Sequence, residues 1–165
     1  MKSIALFLLS CFAALSAYGF QTDELDIYIS SVRSEHSRDS NSTSTTITIK
    51  GKTLVFDQKS GGRGRRAPVH KEYRLTNQEI AQLRKLIAEK NLLVSGSSAY
   101  PVGQGPYTSY DLNVKIGFKG RRSAIQVSGP ANSGEMKDDK LYKSASALLA
   151  EVLAIIHSRD EEATR

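Results

Sequence analysis

Hydrophobic and polar residues alternate along several short stretches of the chain, and this period of two predicts β-strands. Two hairpins have the clearest pattern, each with a glycine in its turn. Their alternating apolar residues are Ile47, Ile49, Leu54 and Phe56 around Lys50-Gly51-Lys52, and Leu112, Val114, Ile116, Ile125 and Val127 around Lys119-Gly120. Residues 69–75 predict a further strand. A first strand is expected to about residue 34, although its apolar residues also fit a helical stripe, because its β-branched content favours a strand.

Two stretches follow the helical period instead. Thr76-Asn77-Gln78-Glu79 matches a capping box, in which the Thr76 hydroxyl and the Glu79 carboxylate each accept a hydrogen bond from a free amide. The final helix is expected to open at Asp138 and Asp139, whose charge complements the helix dipole. The predicted apolar faces are Ile80, Leu83, Leu86 and Ile87 in the first helix, and Leu141, Ala145, Leu148, Val152 and Ile156, widened by Leu149, Leu153 and Ile155, in the second.

The order of these elements predicts an α+β fold, an antiparallel sheet of hairpins with two helices packed on one face. Polar, glycine-rich or serine-rich composition predicts loops at residues 37–46, 95–107 and 130–137. We expect residues 20–46 to form an N-terminal strand and polar loop. Residues 47–157 would form the domain core, and residues 158–165 a polar tail.

The first nineteen residues have the composition of a cleaved secretory signal peptide. Lys2 precedes an apolar run over residues 4–15, and small residues at Ala17 and Gly19 suit signal peptidase. This predicts export to the periplasm or the extracellular space, with no transmembrane segment after removal, because the run is short of the ~20 residues that span a bilayer. A lipoprotein signal ending at Cys11 fits poorly. Cys11 is the only cysteine, so the mature chain is expected to have no disulfides.

The net charge of +6 is concentrated in residues 50–75, which hold eight basic and two acidic residues. Such a basic patch attracts anionic surfaces, such as polysaccharides or lipid headgroups, although a solvated loop has the same composition. No aromatic residue lies among its arginines to stack on bases, so no nucleic-acid partner is expected. Tyr100 and Tyr107 are exposed recognition residues or else cover the core. The candidate binding residues are Gly61, Gly62, Arg63, Gly64, Arg65, Arg66, Tyr100 and Tyr107.

No pattern of catalytic or metal-binding residues is evident. His36, His70 and His157 fall in different predicted elements, without the spacing of a zinc site. Asp57 and Asp111 lie in strands with no predicted partner, and no serine sits in a G-x-S-x-G elbow. We therefore expect no catalytic residue, metal or cofactor, and a protein that acts by binding. A small enzyme of unrecognised type is the remaining alternative.

A family resemblance covers about residues 53–156. It is carried by a strand ending in Ser60-Gly61-Gly62 with Gly64 and an arginine following, by the helix face at residues 79–86, by a hairpin with Arg121-Arg122, and by a terminal leucine-rich helix. These features resemble the emfourin-type inhibitors of thermolysin-like metallopeptidases, although this chain has Arg63 where that family's turn tends to carry an aromatic residue. The resemblance implies an inhibitor-like binder without an active site, whose loops occlude a peptidase cleft. The expected partner is accordingly a peptidase or, failing that, another exported protein.

Overall fold

In the computed structural model, one mixed sheet carries helices on one of its faces. The structure describes residues 24–37, 40–63, 65–102 and 106–163, with the side chains of residues 162 and 163 excepted. The predicted signal peptide lies outside the described residues. Within the described part, the strands are β1 (Asp26–His36), β2 (Asn41–Lys50), β3 (Thr53–Gly61), β4 (Val69–Arg74), β5 (Gly96–Ala99), β6 (Tyr107–Phe118) and β7 (Arg121–Pro130), and the helices are α1 (Asn77–Glu89), α2 (Gly134–Asp138) and α3 (Lys140–Ala163).

The strands lie in the order β4-β3-β2-β1-β6-β7-β5. Every neighbouring pair is antiparallel except β5 and β7, which run parallel. The central strand, β1, pairs with β2 through Ile27–Ile49 and with β6 through Ile27–Ile116. The predicted α+β fold, with its two hairpins and helices on one face, is confirmed.

One face of the sheet packs against α1 and α3 and forms the core. Since strand side chains alternate between faces, every second residue of the central strands points into this layer. The fully buried side chains of the core include Ile27, Ile29, Ile47, Ile49, Leu54, Leu112, Val114 and Val127 from the sheet and Leu83, Ile87, Leu148 and Val152 from the helices. The apolar face predicted for α3 is confirmed except for Leu153, which is 38% exposed because it lies on the outer side of the helix.

The capping box of α1 is confirmed, and the end of α3 is tied to it. Glu79 N–H donates to Thr76 Oγ1 at 3.2 Å, and Thr76 N–H donates to Glu79 Oε2 at 2.6 Å. Arg159 also donates to both carboxylate oxygens of Glu79, at 2.9 Å each. Asp160 accepts hydrogen bonds from Lys71 and Tyr73 of β4 at 2.7 and 2.8 Å. The helix continues through residue 158, where the predicted polar tail begins, to Ala163, and these contacts hold its end against α1 and β4.

Three predicted loops contain regular structure. Residues 41–46 belong to β2, where threonine suits the pleated backbone and both neighbouring strands supply hydrogen bonds. Residues 96–99 form β5, whose Gly96 lies against the end of the Leu141 side chain, which would have to shift to admit a Cβ. Residues 134–138 form α2, capped by Ser133 and held by fully buried Met136. The final helix accordingly begins at Lys140, and Asp139 rather than Asp138 binds its first free amides.

Neither a disulfide nor a membrane-spanning helix occurs in the described part of the chain. The described residues contain no cysteine. None of their helices has the length and apolar character needed to cross a bilayer.

Candidate binding surfaces

The predicted glycine-arginine segment lies where β3 ends and the chain turns toward β4. Gly61 is the last residue of β3 and pairs with Ser42. Gly62 has φ +93°, and a Cβ there would overlap the backbone oxygen of Ser40. Glycine is therefore required at this turn. Arg63, Arg65 and Arg66 follow as exposed side chains, and the predicted residue Gly64 lies outside the described residues.

Tyr100 packs against the core beyond the end of β5. Its hydroxyl donates to Asp139 Oδ2 at 2.6 Å, and its backbone N–H donates to Ser128 at 2.8 Å. The hydrogen bond to Asp139, followed by burial, raises the pKa of Tyr100 above its usual value. These are the contacts of a tyrosine that covers the core and helps to fix the start of α3.

Tyr107 begins β6 and is half-buried. Its ring stacks on His36 with the centroids 4.4 Å apart and the planes inclined by 26°. The Nε2 atom of His36 is in turn 2.9 Å from the Ser109 hydroxyl oxygen. Tyr107 therefore presents an ordered aromatic-imidazole pair at the end of the two central strands.

The predicted candidate residues share one end of the sheet but do not converge on one pocket. Their positions along the strand order place the glycine-arginine segment at β3, Tyr107 three strands away at β6, and Tyr100 beyond the opposite edge. At about 4.8 Å per strand, the first two lie about 14 Å apart. Two of these residues, Gly61 and Arg66, line a cavity of about 400 Å³, with Glu35 and Ser60 on its other walls.

A larger cavity, of about 640 Å³, lies at the opposite end of the sheet, on the face without helices. We call it the open-face cleft. Two rows of cross-strand neighbours form it: Lys50, Asp26, Gly117 and Arg122 in the first, and Thr48, Tyr28, Lys115 and Ala124 in the second. Gly117 has no side chain and Ala124 has only a methyl group, so they leave a depression between the larger residues around them.

The open-face cleft is cationic. Lys50, Lys115 and Arg122 are exposed around it, and Asp26 is the only carboxylate among the described residues that line it. Tyr28 is 37% exposed, and the ammonium group of Lys115 lies 5.7 Å from the centre of its ring. The arrangement offers positive charge and an aromatic ring to a ligand that is anionic and partly apolar.

Asp57 has a partner that the sequence did not reveal. The Nδ1 atom of His70 lies 2.7 Å from Asp57 Oδ1, because the two residues are directly opposite each other in β3 and β4. Their side chains are 68% and 41% exposed, so the pair lies on the surface rather than in a pocket. Within the described residues, no group of three or more His, Cys, Asp or Glu side chains is placed to hold a metal ion.

The cleft was missed because its residues come from four separate parts of the sequence. Alternation alone puts Tyr28, Thr48 and Lys115 on the outer face of their strands. What alternation does not give is the position of β1 between β2 and β6, which brings them together. Comparison with known proteins adds no relative, since no protein-family model and no curated protein matches this chain.

Proposed function

We propose that this protein is an exported, non-enzymatic binding protein and that the open-face cleft takes an anionic ligand. The observation that carries the proposal is the grouping of Lys50, Lys115 and Arg122 around a depression of about 640 Å³ floored by Gly117. Opposite charge favours association in such a concave site, where the field of several cations adds. Thr48 and Ser95 in the same lining supply hydroxyl groups for hydrogen bonds to the ligand.

The experiment compares salt-dependent retention on immobilised heparin for two variants with the same loss of charge. One variant replaces Lys50, Lys115 and Arg122 with serine, and the other replaces Arg63, Arg65 and Arg66 with serine. We expect the cleft variant to elute at clearly lower salt than the loop variant. Salt screens charges over a short distance, so the cations that contact the heparin contribute most to its retention. Equal elution of the cleft variant and the unmodified protein would refute the proposal. A loss of retention in the loop variant alone would indicate that the anion site lies at the glycine-arginine segment instead.

An inhibitor-like interaction with a peptidase is a second proposal. The observation in its favour is the glycine-arginine segment, whose left-handed turn at Gly62 is fixed against Ser40 and whose arginines are exposed at the end of the sheet. A turn held in this way can be inserted into a cleft at a low entropic cost. Titration of a thermolysin-like enzyme with the purified protein tests it. Unchanged peptidase activity at roughly micromolar protein would contradict this second proposal.

A further inference from the structure

Beyond the cleft, the open face continues as a polar track along the central strands. The outward residues of β1 and β6 alternate with the buried core residues, and they carry mostly hydroxyl, amide or carboxylate groups. We define the open-face track by Ser30, Val32 and Ser34 in β1, Asn113, Asp111 and Ser109 in β6, and their neighbours Thr46, Ser44, Gln126 and Ser128 in β2 and β7. Hydroxyl and amide groups both donate and accept hydrogen bonds, as sugar hydroxyls do.

Asn113 lies in the middle of this track, between Ser30 and Gln126. Its side-chain oxygen is buried, and none of the described residues donates a hydrogen bond to it. A buried acceptor without a donor is unfavourable. Asn113 is only half-buried, so rotation of its side chain can bring the oxygen to the open face, where a ligand hydroxyl supplies the missing donor. The track therefore has a specific point at which a hydroxyl-bearing ligand is favoured.

Aromatic side chains mark both ends of the track. Tyr28 lies at the cleft, and the stacked pair of His36 and Tyr107 lies at the other end. Tyr28 and His36 are eight residues apart in one strand, which corresponds to about 26 Å. Aromatic rings offer apolar faces on which the C–H face of a sugar ring can pack. The spacing suits an extended chain of several sugar residues.

The distribution of charge disfavours a uniformly charged ligand along the track. Three cations lie at the cleft, whereas the charged residue of the track itself is Asp111; two strands from β1, the same face carries both Asp57 and Lys59. A polyanion with a charge on every unit would approach Asp111, and like charges repel. A chain with its negative charge at one end would meet the cations and leave neutral sugars over Ser30, Ser34 and Asn113.

We propose, on the basis of the function proposed above, that the ligand is a sparsely anionic oligosaccharide that places an acidic sugar in the open-face cleft and neutral sugars along the track. A hexasaccharide of five neutral sugars and one terminal glucuronic acid is a suitable probe. Free glucuronic acid tests the cleft alone, and polyphosphate represents the uniformly charged alternative. Each probe is titrated into the full chain by calorimetry. Changes in the amide NMR shifts then identify the residues that contact the probe.

We expect the hexasaccharide to bind at least about tenfold more tightly than glucuronic acid, because it adds several contacts along the track. Asn113→Ala should weaken hexasaccharide binding about two- to tenfold and leave glucuronic acid binding unchanged, since only the longer probe reaches Asn113. Asn132→Ala is the control, because Asn132 is an exposed asparagine outside the track. Lys115→Ser should weaken both sugar probes.

The outcomes separate the two proposals. Equal binding of the two sugars, or no effect of Asn113→Ala, overturns the oligosaccharide inference and leaves the anion-binding function standing. Polyphosphate that binds more tightly than the hexasaccharide also overturns it, in favour of a uniformly charged ligand. Glucuronic acid binding that survives Lys115→Ser unchanged, or no binding of any of the three probes, overturns the anionic cleft itself and with it the inference.

Discussion

The two faces of the sheet use the same strands and differ in almost every other respect. In β1, Ile29 is fully buried under the helices, whereas the next residue, Ser30, lies on the open face. In β2, Ile47 and Thr48 differ in the same way. Because neighbouring residues point to opposite faces, one strand contributes both to the core and to the binding surface. The comparison teaches that stability and binding can be changed separately in this protein.

The largest effect is expected from the covered face. Ile29→Ala removes a fully buried side chain from the central strand, so it should lower the free energy of unfolding by about 2–5 kcal/mol. Ser30→Ala, one residue away on the open face, should change it by no more than about 0.5 kcal/mol. Chemical denaturation of both variants measures the difference. A large loss for Ser30→Ala would mean that the open face also contributes to the core.

The hairpins and the first helix could be predicted because the residues that determine them are close together in the sequence. The hairpins follow from alternation around Gly51 and Gly120, which both have positive φ, and α1 follows from its capping box. Residues 41–46 were assigned wrongly because serine and threonine are typical of loops as well as of strands. Their strand depends on pairing with β1 and β3, and the segment itself does not encode that pairing.

The candidate sites also differ in whether their residues are contiguous in the sequence. The glycine-arginine segment is contiguous, so composition alone identified it. The open-face cleft joins Tyr28, Lys50 and Lys115, which are far apart in sequence and meet only through the strand order. The partner of Asp57 was missed for the same reason, since it depends on the register of β3 and β4. Sequence patterns place a residue on a face but do not say which strands lie side by side.

Two glycines allow a second test. Gly62 lies in the fixed turn after β3, whereas Gly134 begins α2, where space is available for a side chain. Gly62→Ala should destabilise the protein by about 1–3 kcal/mol, because φ is +93° and the added Cβ would meet the Ser40 backbone. Gly134→Ala should stabilise it by up to about 1 kcal/mol, since no atom lies within 4 Å of the added Cβ and alanine favours the helix. Thermal unfolding of the two variants checks the opposite signs. A tolerated Gly62→Ala would show that the turn is not fixed.

The start of α3 should give stability a dependence on acid pH. Hydrogen bonds from the Ser98 and Tyr100 side chains, together with the amides of Leu141 and Tyr142, lower the pKa of Asp139 from 3.8 to about 2. A carboxyl group with a lowered pKa in the folded state stabilises it above pH 3.8, and this contribution is lost as the pH falls toward 2.

Asp139→Ala should therefore cost about 1–2 kcal/mol at neutral pH, as the loss of a helix cap does, and should flatten the decline in stability between pH 4 and pH 2. Asp138→Ala is the matched control. Its side chain is 84% exposed and pairs with Lys143 in a surface contact, so little change is expected. Denaturation curves over this pH range measure both variants. An unchanged acid decline in Asp139→Ala would show that other carboxylates cause it.

The smallest effect on stability is expected where the effect on binding is largest. Replacing Lys50, Lys115 and Arg122 with serine removes three like charges from one cleft and also the contact of Lys115 with the Tyr28 ring. The loss of repulsion and the loss of an exposed cation–π contact oppose each other, and each is worth about 1 kcal/mol or less. We therefore expect a net change within about 0.5 kcal/mol at low salt, shrinking as salt screens the charges. Denaturation at low and high salt, beside the Arg63, Arg65 and Arg66 triple variant, measures it. If the free energy of unfolding fell by several kcal/mol and the loss persisted in high salt, these side chains would contribute to the stability of the sheet. Stability and binding would then not be separated between its two faces.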